Sequence, residues 1–298
     1  MSVTVVGSVA LDTVETPMGK NIEGLGGAAT FFSLAASNYT PVHLVGVVGE
    51  DFPEQHVTAL ADKGVILDGL ERQSGKTFRW SGRYHADMNN RDTLDTQLNV
   101  FEHFHPKLPD AARKSKYLFL GNIHPALQLE VLEQASPSFV ALDTMNLWIS
   151  IALEPLKQVL SKVDALIIND SEVLELTGLR NLVHGAEAIQ QLGPKIVVIK
   201  KGEHGCLLFA HGKVFSAPAM PLREVFDPTG AGDTFAGGFM GHISQQDSTS
   251  IETLRRAVIH GTVVASYTCE KFGPDRLIEI GKSDIEQRYA AIQELASF

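Results

Sequence analysis

Cysteine is almost absent from this chain: Cys206 and Cys269 are the only two in 298 residues, and they stand far apart. That excludes a disulfide framework and a Cys-x-x-Cys zinc site, and both read as small core residues of a reducing compartment. No apolar run approaches the roughly 18 residues that span a bilayer. The stretch Met1–Gly7 lacks a basic n-region, so no cleaved secretory signal is expected and the expected location is cytoplasmic. Positive charge is also scarce. Lys and Arg total 25 against 35 Asp and Glu, a net charge of −10 that repels nucleic acid and anionic membrane, so neither is expected as a partner. The densest basic patch, Arg113-Lys114-Ser115-Lys116, reads as a solvated connection. Internal repeats, low-complexity stretches and linkers rich in Pro, Gly or Ser are missing, so one domain over 1–298 is expected. A Gly-x4-Gly-Lys-Ser/Thr loop is missing too, which excludes a P-loop NTPase.

The 44% of hydrophobic residues is ample for a folded core, and their spacing is informative. Val3–Val6, Val42–Val48, Tyr117–Leu120, Phe139–Leu142, Ala165–Ile168 and Ile196–Ile199 are short, nearly continuous apolar runs, as strands covered on both faces require. Helical patterns fall between them, over Ala28–Ser37, Pro53–Lys63, Leu127–Gln134, Ile149–Val163, Ser171–Thr177 and Val183–Leu192. The alternation predicts an α/β fold: a doubly wound, mostly parallel central sheet flanked by helices. Cys206–Phe209 and Lys213–Ser216 read as a hairpin, followed by long helices over Thr234–Ser244 and Ile251–Thr268. Ser283 and Glu286 have capping-box spacing for a final helix. Two polar segments break the rhythm, about 11–23 and about 75–104. In the second, Phe78, Trp80 and Tyr84 alternate with Arg79, Ser81, Arg83 and His85, the period of a strand with one covered face. These segments predict a small β lid over a pocket, in which Arg79, Arg83, Asn89, Asn90 and Arg91 offer hydrogen-bond donors and Trp80, Phe101 and Phe104 offer stacking surfaces.

The chemistry concentrates in Asp227-Pro228-Thr229-Gly230-Ala231-Gly232-Asp233-Thr234-Phe235-Ala236-Gly237-Gly238-Phe239. A glycine turn delivers the chain into a helix N-terminus, where unpaired N–H groups and the positive dipole end favour an anion. Asp233 sits in the first turn beside that anion site. Capping alone would not need Gly-Ala-Gly in front of it, whereas a phosphate cradle with an adjacent base needs both, and phosphoryl transfer asks for little more. Two other motifs are weaker. Gly24-x-Gly26-x-x-Ala29, with Glu50 and Asp51 downstream, loosely fits a dinucleotide fingerprint, but it follows the polar Met18–Glu23 and not a buried strand. His103 and His105 lack a further ligand at metal-site spacing and read as solvated.

The Asp227–Phe239 segment resembles the C-terminal signature of the ribokinase/PfkB carbohydrate kinase family, whose members phosphorylate a hydroxymethyl group of a sugar or nucleoside with ATP. Gly24-Leu25-Gly26-Gly27-Ala28-Ala29-Thr30 resembles the family's Gly-Gly signature, Asn169-Asp170-Ser171-Glu172 its Asn-x-x-Glu motif, and Ile199–Gly205 the strand–turn before the nucleotide site. The resemblance implies a ribokinase-like fold with Asp233 as catalytic base and Gly230, Ala231 and Gly232 as anion hole. It implies Asp12, Gly26 and Gly27 at the acceptor, and Asn169, Glu172, Lys200, Gly202, Gly205, Thr229 and His260 around the nucleotide. By the same resemblance ATP and Mg²⁺ are required, Mg²⁺ being held by Glu172 through water, and Asp227 with Thr229 marks a candidate monovalent-cation (K⁺) site. Where the family pattern has Asn after Gly-Gly, this chain has Phe31, a departure from ribose binding in the ribokinase manner. The expected activity is phosphorylation of a small sugar or polyol. The alternatives are a nucleoside kinase of the same fold and a non-catalytic sensor of sugar or nucleotide, and a homodimer through the lid fits its exposed sheet.

Overall fold

The computed structural model describes residues 1–297. Its main sheet is built from β1 (Val3–Val6), β4 (Val42–Gly49), β5 (Val65–Gln73), β8 (Tyr117–Leu120), β9 (Phe139–Asp143), β10 (Ala165–Asn169), β11 (Ile196–Lys200), β12 (Cys206–Ala210) and β13 (Lys213–Ala217). The order is β13-β12-β11-β10-β9-β8-β1-β4-β5, parallel from β11 to β5, with the β12–β13 hairpin antiparallel at one edge. This is the doubly wound, mostly parallel α/β architecture expected from the apolar runs. Strand β5 was not among the expected strands, because Asp68, Gly69, Glu71 and Arg72 dilute its apolar run at the sheet's edge.

Among the described residues twelve α-helices flank the sheet: α1 (Ala28–Ala36), α2 (Glu54–Asp62), α3 (Asp110–Arg113), α4 (Pro125–Gln134), α5 (Asn146–Ile151), α6 (Leu153–Leu160), α7 (Asp170–Thr177), α8 (Leu182–Gln191), α9 (Ala231–Gln246), α10 (Ile251–Thr268), α11 (Asp275–Glu279) and α12 (Lys282–Leu295). Alternate strand residues feed two apolar layers. Ile167 and Val198 join α1, α9, α10 and α12 on one face, while Leu166, Ile168, Val197 and Ile199 join α4, α6, α7 and α8 on the other. No helix among the described residues is long and apolar enough to cross a membrane.

Two expectations are corrected here. The helix expected over Ile149–Val163 is two, α5 and α6, parted at Ala152; Pro155 has no N–H to donate and is tolerated only in a first turn, so a new helix starts just ahead of it. The last helix begins at Lys282, not at Ser283. Gly281 occupies the cap, and its N–H donates to Asp284 Oδ2 at 2.9 Å, half of a capping box since glycine has no side-chain oxygen to return.

The lid is a four-stranded sheet in the order β3-β2-β6-β7, with β2 (Ala10–Thr16), β3 (Gly19–Gly26), β6 (Phe78–Tyr84) and β7 (Arg91–Gln97). Only the central β2–β6 pair is parallel, and it sets Asp12 opposite Trp80. Residues 99–103 turn back as a 3₁₀ helix, so Phe104 is core and Phe101 stacks between it and Phe78. Neither is a lid platform.

Candidate active site

Three junctions between elements meet beneath the lid: β3 into α1, the loop that enters α9, and the ends of β10 and β11. At the first, β3 runs into α1 through Gly27, whose φ of 94° puts it in the region glycine tolerates best. A Cβ on Gly27 would fall 2.5 Å from the Ser8 carbonyl, and one on Gly26 would collide with the Asp12 carboxylate. Asp12 is thereby enclosed. Burial pushes its pKa up to about 7, against the Gly27 N–H that lowers it, and the negative Asp227 and Asp233 nearby add to the rise.

At the second junction, Gly230 caps α9 with a φ of 75°, its Cα seated on the Phe31 ring so closely that any side chain would strike it. This is where the Phe31 departure acts. The Ala231 N–H is taken by the Pro228 carbonyl at 3.1 Å, so Ala231 is corrected from donor to spacer. The N–H groups of Gly230 and Gly232 have no protein acceptor among the described residues. They open the 16-residue helix α9, which adds its dipole toward an anion. Asp233 follows directly, and burial, then the nearby Asp143, push its pKa up to about 7, with Lys200 pulling the other way.

The third junction supplies that lysine. Lys200 ends β11, in register with Asn169 at the end of β10, and its Nζ lies 3.7 Å from Asp143 Oδ1. A Cβ on Gly232 would fall 2.9 Å from the same Nζ. Asn169 and Glu172 form a reciprocal capping box at the start of α7: Asn169 Oδ1 accepts from Glu172 N at 2.8 Å and Glu172 Oε2 accepts from Asn169 N at 3.0 Å. Burial raises the Glu172 carboxyl to about 7. Asp143 was missed by sequence reasoning. The available signal was an acid closing the buried run Phe139–Leu142, at the carboxyl end of a central parallel strand, where α/β sheets place ligands.

A cavity of about 490 Å³ is lined by Lys200, Gly202, Gly205, Ala231 and Gly232 and by the apolar Met220, Leu222, Val225 and Phe235. Asp87, Met88 and Asn89, the turn between β6 and β7, close its lid side. One side of α10 lines it with Thr262, Ala265, Ser266 and Cys269, a stripe at helical spacing. His260 is off that stripe, and the expected nucleotide contact is corrected. Its ring stacks on His242 at 4.1 Å and on Tyr289 at 4.7 Å, with Nδ1 3.1 Å from the Tyr39 hydroxyl. Asp227 and Thr229 lie behind the glycine turn. Asp227, fully buried, accepts from Thr229 N at 2.9 Å and Gly273 N at 3.0 Å, and the Thr229 hydroxyl bonds the Tyr84 hydroxyl at 3.3 Å. On the lid, Arg79 pairs with Glu23 and Asp51 and Arg83 with Glu15. Neither is free to serve a substrate, as their alternation against Trp80 and Tyr84 requires.

The junctions thus bring two N–H groups without a protein acceptor, the half-buried Asp233 carboxylate and the half-buried Lys200 ammonium together beside a nucleotide-sized cavity. The family model described as pfkB family carbohydrate kinase matches residues 3–280. A cytidine kinase of Thermococcus kodakarensis is 30% identical over 254 residues, covering 82% of this chain and 89% of the relative. Among solved structures, an E. coli protein assigned as a ribokinase II, in complex with ATP and Mg²⁺, superposes with a TM-score of 0.81 at 18% identity, covering 97% of this chain and 99% of the other. The nucleoside kinase of Methanocaldococcus jannaschii superposes with a TM-score of 0.77 at 19% identity, covering 97% and 98%.

Proposed function

The chain belongs to the pfkB family of carbohydrate kinases, phosphotransferases acting on an alcohol group, and from that premise we propose that its acceptor is a nucleoside and its donor ATP with Mg²⁺. The observation that carries the choice of acceptor is the lid register. Asp12 and Trp80 stand side by side on β2 and β6, and residues paired in a parallel ladder share a face. A carboxylate suited to vicinal hydroxyls beside a half-buried indole suits a ribose joined to a planar base. A free sugar or polyol would use Asp12 with Gly26 and Gly27 and leave Trp80 without a task. The cytidine kinase relative favours the same reading.

In the proposed reaction the hydroxymethyl oxygen of the acceptor attacks the γ-phosphorus. Its proton passes to the Asp233 carboxylate, and the bond to the departing ADP oxygen breaks. The Gly230 and Gly232 N–H groups and Lys200 stabilise the charge on the transferring group. Asp143 Oδ1 is buried without a hydrogen-bond partner, Glu172 lies close to the same lysine, and no cluster of three ligating side chains exists among the described residues. That set fits Mg²⁺ held mainly by phosphates and water, with Asp143 and Glu172 as its carboxylates. Bound there, the ion neutralises charge on the phosphate oxygens. A monovalent cation beside Asp227 belongs to the same reading, because this fully buried carboxylate is met by the neutral Thr229 and Gly273 N–H groups and by no cation among the described residues. Replacing K⁺ by tetramethylammonium is expected to lower turnover. Strand β7 is exposed along its whole length and leaves an unpaired lid edge, on which we place a second copy of the chain. A native mass of one chain would end that part of the reading.

The test of the whole is ADP formation with Mg·ATP across nucleosides, sugars and polyols, with Asp233→Asn alongside. Nucleoside-dependent ADP that vanishes in the variant supports the proposal. Turnover of sugars alone refutes the acceptor, and a protein that binds ATP but turns over nothing fits the sensor alternative.

A further inference from the structure

Arg91 opens β7 and is paired with Tyr84 across the β6–β7 ladder, so it shares the face that carries Tyr84 and Trp80. Its guanidinium carbon lies 5.8 Å from the centre of the Trp80 ring. Arg79 and Arg83 are neutralised on the opposite face, but Arg91 has no ion pair or hydrogen bond with any described residue. An arginine beside a site rich in buried carboxylates, yet paired with none, is available to an anion brought by a ligand.

The hairpin that carries Arg91 is held at two points. Behind it, the Tyr84 hydroxyl meets Thr229 at the start of the anion-binding turn. Ahead of it, Asp87, Met88 and Asn89 line the nucleotide cavity, with Asn89 Oδ1 3.1 Å from where a Cβ on Gly202 would stand. Arg91 therefore lies between the acceptor face at Trp80 and the donor cavity at Asn89, and its charge is felt by Asp233.

We propose that Arg91 is a catalytic residue supplied by the lid, its guanidinium binding the oxygens of the phosphoryl group during transfer. The bond to the ADP oxygen breaks with its electron pair staying on ADP, the acceptor oxygen bonds to phosphorus, and the proton goes to Asp233. Arg91 gives and takes no atom and holds the equatorial oxygens. The planar N–H fork matches phosphate geometry, whereas a neutral nucleoside offers no anion for it. A contact made chiefly in the transition state shows in kcat and spares KM. The inference rests on the kinase reading but not on the choice of nucleoside as acceptor.

The experiment uses whichever acceptor the wild type phosphorylates best, so a sugar result would remove the nucleoside reading and still test Arg91. Arg91→Ala is expected to lose about a hundredfold in kcat, with acceptor KM and Mg·ADP affinity within about threefold of wild type. Added guanidinium ion is expected to restore part of that loss, and Arg83→Ala, on the outer face, to retain normal kcat. Unchanged kcat in Arg91→Ala overturns the proposal, as does a KM effect without a kcat effect. If no acceptor is turned over, Mg·ADP with aluminium fluoride, a mimic of the transferring group, decides. Arg91→Ala should lose the gain in affinity that fluoride gives the wild type, and an equal gain in both proteins overturns the proposal.

Discussion

Asp233 is held where ionisation is costly, and that cost is part of its usefulness. Burial and Asp143 raise its pKa to about 7, which makes it a stronger base than an exposed carboxylate. Asp233→Asn is expected to lower turnover by at least about a hundredfold with the fold retained, measured as initial rate beside circular dichroism. In the proposed reaction the base must be ionised, so kcat is expected to rise with pH through about 7 and to fall roughly tenfold per unit below it. The stability effect has the opposite sign. A carboxyl whose folded pKa exceeds its unfolded value destabilises the protein when ionised, a cost present above about 7 and relieved as pH falls. The Asn variant should therefore melt higher than wild type at pH 8, with a smaller gap at pH 6. Lys200 offsets part of the cost for Asp143, Glu172 and Asp233. Lys200→Met is expected to move the acid limb of the pH–rate profile to higher pH and to raise the KM for ATP.

Helix α9 places this site, and it does so by lying unusually close to its neighbours. A Cβ on Gly237 would strike the Phe32 carbonyl and come within 2.7 Å of Ala35 Cβ in α1, and one on Gly238 would meet α10 at the His260 carbonyl, 2.9 Å away. Alanine is the better helix former by about 1 kcal/mol, but overpacking costs about 1–3 kcal/mol, and here the obstacles are backbone. Gly237→Ala is thus expected to destabilise, read as a lower urea midpoint with unchanged slope. Gly281→Ser is expected to do the reverse by a few tenths of a kcal/mol, since open space surrounds Gly281 and serine restores the missing cap oxygen. Much at this scale was legible in sequence. The apolar runs gave six strands of the main sheet because each is buried on both faces, and the lid alternation held for Trp80 and Tyr84 against Arg79 and Arg83. The capping error at Ser283 and the broken helix at Ala152 arose where two local signals competed within a few residues.

Across the whole molecule, the main sheet supplies one wall of the site and the lid the other, so ligands bound as proposed would couple them. A nucleoside together with Mg·ADP should stabilise the protein more than either alone, since one hairpin carries both Asn89, which lines the cavity, and Trp80, the proposed acceptor contact. A thermal-shift series measures this. The amino-acid order alone determined the fold class and the glycine turn that sets Asp233 in the first turn of α9, because each is written in neighbouring residues whose backbone and burial needs are local. It did not determine that Asp143 joins Lys200, that His260 turns away from the cavity, or that Arg91 shares the lid face of Trp80 and Tyr84. Those depend on strand order, on the face of α10 that meets the cavity, and on the register between β6 and β7. Such pairings join residues far apart in the chain, and only the packed sheet and lid choose among them.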